Sequence, residues 1–288
     1  MMNININGNT KLLALLGHPV EHSISPAMHS AAAGLLDLPY VYLAFDITPE
    51  KLPEAIDSLR LFGARGFNLT MPLKRDVIPL LDRISDAARL CNSVNTVTIE
   101  EDGSLNGDTT DGRGLIRSLT ESGVYKKDAA FTILGAGGAA RSIAAALALD
   151  GVSDLVLCKR KNATFDEARE YVKMLSSECV IKGDICDMSD PDAFSSRMAK
   201  TDILINATNV GMGADDRSPV EKELLRRDMF VCDIIYDPQE TRLLKDAASI
   251  GAGTANGLGM LLYQGAESFR IWTGEEMPIL EIKKTIFQ

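Results

Sequence analysis

The chain has 288 residues, of which 45% are hydrophobic and 24% charged, and its formal net charge is −10. This length fits one large domain or two of ordinary size. The acidic balance argues against nucleic acid or an anionic membrane as the main partner, although a local site can still attract a small anion. No apolar run approaches the ~18 residues of a membrane span. The N-terminal segment has no basic start typical of a signal peptide, so we expect a cytoplasmic protein.

The cysteines are far apart in the sequence and include no Cys-x-x-Cys pair. This distribution favours reduced, mostly packed thiols over a disulfide framework or a zinc site. The five residues are Cys91, Cys158, Cys179, Cys186 and Cys232.

Strands and helices alternate along the first hundred residues. Apolar, β-branched and aromatic runs predict strands at 12–16, 40–45 and 66–70, and a hairpin that begins with the run 94–99. Ser25 is predicted to cap a helix that starts at Pro26 and runs through Leu36. A second helix is predicted from Thr48 to about Phe62.

After about residue 110 the alternation becomes more regular. Strands are predicted at 131–134, 155–158, 180–185, 203–206 and 230–235, with helices at 138–149, 164–176 and between the later strands. Continuous apolar strands joined by helices indicate a buried parallel sheet. Two helical segments, 257–272 and 278–287, follow the last strand. We expect an α/β fold of two domains, the second doubly wound, with the C-terminal helices returning to the first domain.

The segment FTILGAGGAARSIAAAL (131–147) combines an apolar strand, a glycine-rich turn and an alanine-rich helix. Gly135, Gly137 and Ala140 fit the pattern G-x-G-x-x-G/A in the context that dinucleotide binding requires. The glycines allow the backbone to approach a pyrophosphate, and the free amides of the helix start favour its negative charge. The alternative is a glycine turn needed only for tight packing.

The end of the next strand indicates which dinucleotide is bound. An acid about 20 residues beyond the glycines would bind the ribose of NAD. This chain instead has Lys159, Arg160, Lys161 and Asn162 there, and no acid before Asp166. Basic residues suit the 2′-phosphate of NADP, so NADP is favoured over NAD. Use of NAD stays open because Asn162 could bind a plain ribose, and the basic run could also be only a solvated loop.

Two residues are candidates for proton transfer. Lys74 follows a predicted strand at the edge where ligands collect in α/β folds, although most lysines are simply exposed. Asp111 opens a predicted helix, where it could serve only as an N-cap. Paired with each other, the carboxylate would hold the ammonium and help it exchange a proton with a hydroxyl or carbonyl.

The segment GHPVEHSISPAMHS (17–30) contains all the histidines of the chain: His18, His22 and His29. The spacing of the first two suits metal ligands on one helix face, but Pro19 and Pro26 favour a loop between them. We therefore expect no metal site. Instead, the hydroxyls of Ser23 and Ser25 could point into a pocket, although Ser25 could equally serve only as an N-cap.

Several further segments complete a pattern that covers nearly the whole chain. They are NLTMPLK (68–74), SVNT (93–96), GDTTDGRG (107–114), NATNVGM (206–212) and ANGLGMLLYQGAESFRIWTG (255–274). Together with the glycine loop and the histidine segment, in this order and spacing, they resemble the motifs of the shikimate dehydrogenase family, including its quinate/shikimate branch.

The resemblance implies roles for individual residues. Lys74 and Asp111 would be the catalytic pair. The implied substrate-binding residues are Ser23, Ser25, Asn68, Thr70, Lys74, Asn95, Asp111, Tyr236 and Gln264. The implied cofactor-binding residues are Gly135, Ala136, Gly137, Gly138, Ala139, Lys159, Arg160, Lys161, Thr208, Val210, Met212, Gly257 and Met260.

The implied reaction is the reversible, NAD(P)H-dependent reduction of 3-dehydroshikimate to shikimate on the way to chorismate and the aromatic amino acids. If Lys74 is the base in the reverse direction, its pKa should be lowered from the usual ~10.4 by partial burial; if Asp111 is the base, Lys74 mainly orients it. Alternatives are a quinate/shikimate dehydrogenase that acts mainly on quinate with NAD, a non-catalytic nucleotide-sensing relative and, more remotely, a metal-dependent hydrolase.

The same resemblance implies the division of labour between the domains. Residues 1–110 and 260–288 would form the substrate-binding catalytic domain, and residues 111–259 the Rossmann-like NAD(P)-binding domain. The expected partners are small molecules only, with no nucleic acid and no membrane, and a homodimer stays open. Three departures from the family pattern stand out: Thr109, Asn256 and the basic run 159–162.

Overall fold

A computed structural model describes residues 6–179 and 181–286. The chain divides into two compact units, Met1–Gly114 with Leu262–Gln288, and Leu115–Leu261. Each unit contains one six-stranded sheet with helices packed against it. The predicted α/β fold, with a doubly wound second domain and C-terminal helices that belong to the first, is confirmed.

The strands, in chain order, are β1 Lys11–Gly17, β2 Tyr40–Asp46, β3 Gly66–Leu69, β4 Arg83–Ile84, β5 Thr96–Ile99, β6 Leu105–Asp108, β7 Ala130–Leu134, β8 Asp154–Lys159, β9 Lys182–Asp187, β10 Ile203–Asn206, β11 Phe230–Asp233 and β12 Gly253–Ala255. The α-helices are α1 Ser25–Leu35, α2 Leu52–Leu61, α3 Asp86–Cys91, α4 Asp111–Glu121, α5 Gly138–Leu149, α6 Phe165–Cys179, α7 Pro191–Met198, α8 Arg242–Ser249, α9 Leu258–Thr273 and α10 Ile279–Ile286. Short 3₁₀ turns occur at Pro49–Lys51, Ile78–Leu80 and Lys222–Leu224.

The sheet of the first unit is mixed, with the strand order β2-β1-β3-β5-β6-β4. Strands β1, β2 and β3 are parallel, and β5 runs antiparallel to both β3 and β6. The β5–β6 pair is the predicted hairpin. Helices α9 and α10 pack on α1 in a shared apolar cluster that includes Met28, Ala32, Phe269 and Ile282. This packing explains why the end of the chain belongs to the first unit.

The sheet of the second unit is wholly parallel, with the order β12-β11-β10-β7-β8-β9. The chain starts at β7, adds β8 and β9 on one side, and then crosses over to add β10, β11 and β12 on the other side. This is the doubly wound dinucleotide-binding order. Ligands in such sheets bind at the carboxyl ends of the two strands where the winding reverses, which are β7 and β10 here.

Some element boundaries differ from the predictions. Helix α1 starts at Ser25 with Ile24 as its N-cap, so the prediction that Ser25 caps the helix is wrong by one residue. Ile24 already has helical dihedrals, φ −86° and ψ −6°, and therefore extends the turn towards the N-terminus. Within the predicted strand 180–185, residue 180 lies outside the described residues, as does the last residue of the predicted helix 278–287. No helix in the described part of the chain is both long and apolar enough to cross a membrane.

Candidate active site

Lys74 and Asp111 form an ion pair in the first unit. The Lys74 Nζ lies 2.6 Å from the Asp111 Oδ2, and the side chains are 25% and 9% exposed. Lys74 follows β3, and its carbonyl accepts the Val94 N–H at 2.9 Å. Asp111 is the first residue of α4, where the helix dipole favours a negative charge. Its carboxylate points to the lysine, so capping is not the only role that this residue has.

Asn95 holds the second oxygen of the same carboxylate. Its Nδ2 donates to the Asp111 Oδ1 at 2.8 Å and to the Thr110 Oγ1 at 2.9 Å, and it lies 3.3 Å from the Gln264 Oε1. Its Oδ1 accepts the Thr110 N–H at 2.8 Å. Both oxygens of Asp111 are therefore engaged by side chains, which fixes the plane of the carboxylate and with it the position of the Lys74 ammonium.

A buried polar network supports Asn95 from the sheet side. Asn68 Nδ2 is within 2.9–3.1 Å of the Asn95 carbonyl, the Thr96 Oγ1 and the Ser268 Oγ. Asn68 Oδ1 accepts the Tyr42 hydroxyl at 2.8 Å, and the Thr96 and Ser268 hydroxyls are 2.8 Å apart. Asn68 is thus tied into the protein interior. The sequence prediction missed Thr96 and Ser268, whose proximity arises only when α9 returns to the first unit.

Two glycines let backbone segments approach one another closely around this network. A Cβ at Gly114 would lie 2.5 Å from the Gln264 backbone nitrogen, so α4 and α9 can touch there only through glycine. A Cβ at Gly17 would lie 2.1 Å from the Thr70 Cγ2. Both predicted binding residues, Gln264 and Thr70, are therefore placed by glycines in other motifs of the sequence.

The two predicted serines lie in the loop before α1 and at its start. Ser23 Oγ accepts the Ser25 N–H at 3.3 Å, and Ser23 N–H donates to the Val20 carbonyl. Among the described residues, the Ser25 hydroxyl has no hydrogen-bond partner, although the residue is only 8% exposed. Because Ser25 does not cap α1, its hydroxyl is available to a ligand.

The histidines occupy different environments. His18 is exposed and its Nδ1 lies 2.5 Å from the Asp46 Oδ1, and His22 is exposed in a turn. His29 is buried and stacks on Tyr42, with ring centroids 4.4 Å apart. Within the described ranges, no three His, Cys, Asp or Glu side chains are grouped so that they could hold a metal ion.

His29 should make the first unit sensitive to acid. Within the described residues neither ring nitrogen has a hydrogen-bond partner, and burial lowers the pKa of His29 to about 3. The unfolded chain takes up this proton near pH ~6.5, so the unfolded state binds more protons between these two values. The free energy of unfolding should therefore fall by up to about 1.4 kcal/mol per pH unit as the pH drops below ~6.5.

The fluorescence of Trp272, the only tryptophan, reports unfolding of this unit, because its ring lies 5.6 Å from that of His29. We expect the free energy of unfolding, measured by urea titration, to fall between pH 6.5 and pH 5 in the unaltered chain. In His29→Phe this fall should be about 2 kcal/mol smaller. His22→Gln, at an exposed position, serves as the control and should keep the original slope. Equal slopes for His29→Phe and the unaltered chain would contradict the assignment.

The second unit has a cavity of about 330 Å³ at the reversal point of its sheet. It is bounded by the glycine turn after β7, the ends of β8 and β9, and the loop after β10. The wall residues are Gly135, Ala136, Cys158, Lys159, Arg160, Asn162, Met188, Thr208, Val210, Arg217, Ser218 and Pro219. The cavity therefore lies where doubly wound sheets bind dinucleotides.

The glycine turn is held in a shape that leaves room for a phosphate. Gly135 has φ +103°, and a Cβ there would lie 2.9 Å from the Ala207 carbonyl oxygen. Helix α5 begins at Gly138, with Gly137 as its N-cap. Arg141, which the prediction missed, donates from Nε to the Ala136 carbonyl at 3.1 Å and is itself held by Glu167.

Positive charge surrounds the same cavity. Within the described residues, no carboxylate pairs with Lys159 or Arg160. Arg217, which the prediction also missed, is bound by Asp215 through Nε at 2.8 Å and through Nη2 at 2.9 Å. Two unpaired cations and one neutralised guanidinium are suited to an anionic ligand such as a nucleotide phosphate.

Not every predicted cofactor residue lies on this wall. Six of them do: Gly135, Ala136, Lys159, Arg160, Thr208 and Val210. The remaining seven belong to the second unit without lining this cavity: Gly137, Gly138, Ala139, Lys161, Met212, Gly257 and Met260. Met212 is 52% exposed and Met260 is 8% exposed. Tyr236, predicted to bind substrate, also belongs to the second unit and is 41% exposed.

The loop after β10 is held by a buried acid. Asn206 Nδ2 donates to the Asp233 Oδ1 at 3.1 Å, and Asn206 Oδ1 accepts both the N–H and the hydroxyl of Thr208. Thr241 donates to the other Asp233 oxygen at 2.8 Å. Burial raises the pKa of Asp233 from its ordinary value. This network explains why Thr208 and Val210 reach the cavity wall.

Comparisons with known proteins agree with this geometry. Residues 15–97 match the family model described as shikimate dehydrogenase substrate binding domain, and residues 257–287 match the shikimate 5′-dehydrogenase C-terminal domain. A protein of Streptococcus uberis named shikimate dehydrogenase (NADP(+)) is 44% identical over 99% of this chain and 98% of its own length. The chain belongs to the shikimate dehydrogenase family.

Solved structures of family members share the whole fold. Shikimate 5-dehydrogenase of Listeria monocytogenes, in complex with shikimate and NAD, matches with a TM-score of 0.93 and 39% identity, covering 98% of each chain. Quinate dehydrogenase of Corynebacterium glutamicum, in complex with NAD, matches with a TM-score of 0.86 and 29% identity, covering 96% of this chain and 99% of its own.

The structure shows the hydrogen bonds made at two of the positions that depart from the family pattern. Asn256 accepts the Leu258 N–H through Oδ1 at 3.2 Å, so the amide acts at the start of α9 in place of the usual acid. Its Nδ2 also donates to the Gln239 carbonyl, which an acid could not do. Thr109 is buried and hydrogen-bonds the Cys91 thiol. Both substitutions are therefore accommodated by local hydrogen bonds.

Proposed function

We propose that this protein is an NADP-dependent shikimate dehydrogenase, which reversibly reduces 3-dehydroshikimate to shikimate in the route to chorismate and the aromatic amino acids. The observation that carries the proposal is the Lys74–Asp111 pair, 2.6 Å apart, in a chain with family relatives over nearly its full length. A non-catalytic nucleotide-sensing relative would have no use for this pair.

The pair acts on the proton of the reaction. NADP, when bound, supplies or accepts the hydride. In the reducing direction the ketone oxygen gains negative charge, and Lys74 Nζ can donate a proton to it. Asp111 keeps the ammonium in place, and Asn95 keeps the carboxylate from turning away. In the oxidising direction the same groups take up the hydroxyl proton.

The substrate's polar groups are proposed to bind the residues around this pair. Ser23 and Ser25 are assigned to the carboxylate, because Ser25 is nearly buried and its hydroxyl has no partner within the described residues. The ring hydroxyls are assigned to the polar side chains that surround Asp111. The residues assigned in the first unit are Asn68, Thr70, Asn95 and Gln264, and Tyr236 stays a prediction from the family resemblance.

Ser25→Ala should raise KM for shikimate more than it lowers kcat. The hydroxyl is proposed to bind a group that does not react, so its loss weakens ground state and transition state alike. We expect about a tenfold rise in KM, equivalent to one hydrogen bond to a charged group. Ser30→Ala, on the same helix but with its Oγ accepting the Tyr42 N–H, is the control for a general effect on α1. A fall in kcat at unchanged KM would contradict the assignment.

The residues of the second-unit cavity fit NADP. Gly135 and the start of α5 would hold the pyrophosphate, and Lys159 and Arg160 would hold the 2′-phosphate. The open turn at Gly135 and the unpaired cations support this fit. Asn162 lines the same wall and could bind the ribose of NAD, so use of NAD stays a second possibility to be measured.

Arg217 should support adenosine binding without distinguishing the two cofactors. Asp215 neutralises its charge through two hydrogen bonds, which leaves the planar guanidinium as a surface against which a base can stack. We expect Arg217→Ala to raise KM for NADP⁺ and NAD⁺ by a similar factor, about threefold. Asp215→Asn removes the carboxylate that neutralises Arg217. It should therefore lower KM for NADP⁺ relative to KM for NAD⁺. Both are measured by initial rates at saturating shikimate, and an effect of Arg217→Ala on NADP⁺ alone would contradict this role.

A quinate/shikimate dehydrogenase that acts mainly on quinate with NAD is the second candidate. The likeness to a quinate dehydrogenase in complex with NAD, together with Asn162 on the cavity wall, favours this alternative. The experiment that tests the main proposal is the conversion of 3-dehydroshikimate with NADPH, followed by loss of reduced nicotinamide and by identification of shikimate as the product. Reduction of 3-dehydroshikimate gives shikimate and not quinate. Absence of shikimate among the products would therefore refute the proposal.

The remaining features stay predictions. We assign substrate binding to residues 1–110 and 260–288, and cofactor binding to residues 111–259. A cytoplasmic location is supported by the five cysteines, which are scattered along the sequence and include no Cys-x-x-Cys pair. A homodimer is tested by sedimentation of the purified protein.

A further inference from the structure

Two cysteines lie side by side at the edge of the cofactor cavity. Cys158 is in β8 and Cys186 is in β9, and the register of these parallel strands pairs them directly. Paired residues of neighbouring parallel strands point to the same face, with strands about 4.8 Å apart. That separation lies within the range of Cα distances that a disulfide can span, about 4.4–6.8 Å.

The two thiols already interact. The neighbouring Cys186 and burial raise the pKa of Cys158, and the neighbouring Cys158 lowers the pKa of Cys186. Nearby carboxylates of Asp184, Asp187 and Asp190 oppose the lowering at Cys186. Cys158 is fully buried in the protein and lines the cavity, whereas Cys186 is half-buried.

From this arrangement we infer that Cys158 and Cys186 form an oxidation site, at which hydrogen peroxide or a related hydroperoxide converts the dithiol into a disulfide. The disulfide changes the shape of the cofactor cavity and weakens ligand binding there. The disulfide itself does not depend on the proposed substrate. Its effect on binding rests on the proposed cofactor.

The chemistry needs one oxidant and two thiols. The Cys186 thiolate attacks one oxygen of hydrogen peroxide, and the O–O bond breaks. Cys186 becomes a sulfenic acid, and hydroxide is released. The Cys158 sulfur then attacks the Cys186 sulfur, the S–O bond breaks, and water leaves with the Cys158 proton. The two thiols are oxidised by two electrons, and the peroxide is reduced to two waters once the hydroxide takes the proton that Cys186 released.

The bond would act on the cavity through the chain segments next to it. Cys158 is itself a wall residue, and Lys159 and Arg160 follow it directly. Met188, two residues beyond Cys186, is also on the wall. A covalent bond between β8 and β9 at this position therefore acts on the part of the cavity that is proposed to hold the 2′-phosphate.

The first test counts thiols in the full-length protein after treatment with hydrogen peroxide and unfolding in denaturant. Two of the five thiols should be lost, the mass should fall by about 2 Da, and peptide mapping should join Cys158 to Cys186. Cys158→Ser and Cys186→Ser should each prevent this disulfide. Cys179→Ser, which alters another partly exposed thiol, should not. Five remaining thiols, a bond to Cys179, or accumulation of sulfinic acid at Cys186 would overturn the inference.

The second test measures binding of 2′,5′-ADP by calorimetry before oxidation, after oxidation and after dithiothreitol. Oxidation should raise Kd by at least about threefold, because closing the bond shifts the cavity wall, and dithiothreitol should restore it. An unchanged Kd in the disulfide form would overturn the coupling to the cavity. Failure of the reduced protein to bind 2′,5′-ADP would instead argue against the proposed cofactor.

Discussion

Lys74→Ala is expected to lower kcat for shikimate oxidation by about 10²–10⁴-fold, the range typical of a lost general acid–base group. The alanine removes the proposed proton carrier and leaves the Asp111 carboxylate without the cation 2.6 Å away. Asp111→Asn should cause a loss of similar size, because the amide cannot hold the ammonium as a carboxylate does. Steady-state kinetics with NADP⁺ measure both effects.

The effects of the two substitutions on kcat should not be additive. If Lys74 and Asp111 act as a unit, the double variant should be slowed about as much as the more damaged single variant. Lys51→Ala removes an exposed lysine that is paired with Glu54, and serves as the matched control with unchanged kcat. Full additivity of the two losses, or near-normal turnover in both single variants, would contradict the assigned roles.

Arg160→Ala is expected to raise KM for NADP⁺ by about 10–100-fold and to change KM for NAD⁺ much less. The guanidinium lines the cavity and has no acid partner within the described residues, so its charge is available to the 2′-phosphate. The expected size corresponds to one charge-assisted contact of about 1.5–3 kcal/mol. Initial rates with each cofactor at saturating shikimate give the ratio.

Lys161→Ala provides a comparison one residue away. Lys161 carries the same charge but does not line the cavity, and its backbone N–H donates to Asp187. Its removal should alter the ratio of the two KM values less than Arg160→Ala does. An equal effect of the two substitutions would indicate a general electrostatic attraction rather than a specific contact with the 2′-phosphate.

The features that sequence could predict are those that local residues determine. The strand, glycine turn and helix at 131–147 form because apolar periodicity and glycine are local signals, and β7 and α5 lie close to the predicted bounds. The carboxyl ends of β7 and β10 then place Gly135 and Thr208 on one cavity wall. Lys74 and Asp111 required the resemblance as well, since neither residue type is distinctive on its own.

The features that sequence missed depend on distant residues or on backbone detail. Ser268 reaches Asn68 across 200 positions only because α9 packs in the first unit. Arg217 and Asp215 lie in a loop that contains no familiar motif. The short strands β4 and β12 have too few residues to show an alternating pattern. The start of α1 moved by one residue because Ile24 is helical, a local dihedral that residue preferences do not fix.

The measurement that tests the central proposal most directly is kcat/KM for shikimate with NADP⁺, compared with kcat/KM for quinate with NAD⁺, in the same preparation. The Lys74–Asp111 pair is proposed to act on either acid, so the comparison addresses the choice of substrate and cofactor. We predict that the value for shikimate with NADP⁺ is the larger. A larger value for quinate with NAD⁺ would contradict the proposal and assign the protein to the quinate branch of the family.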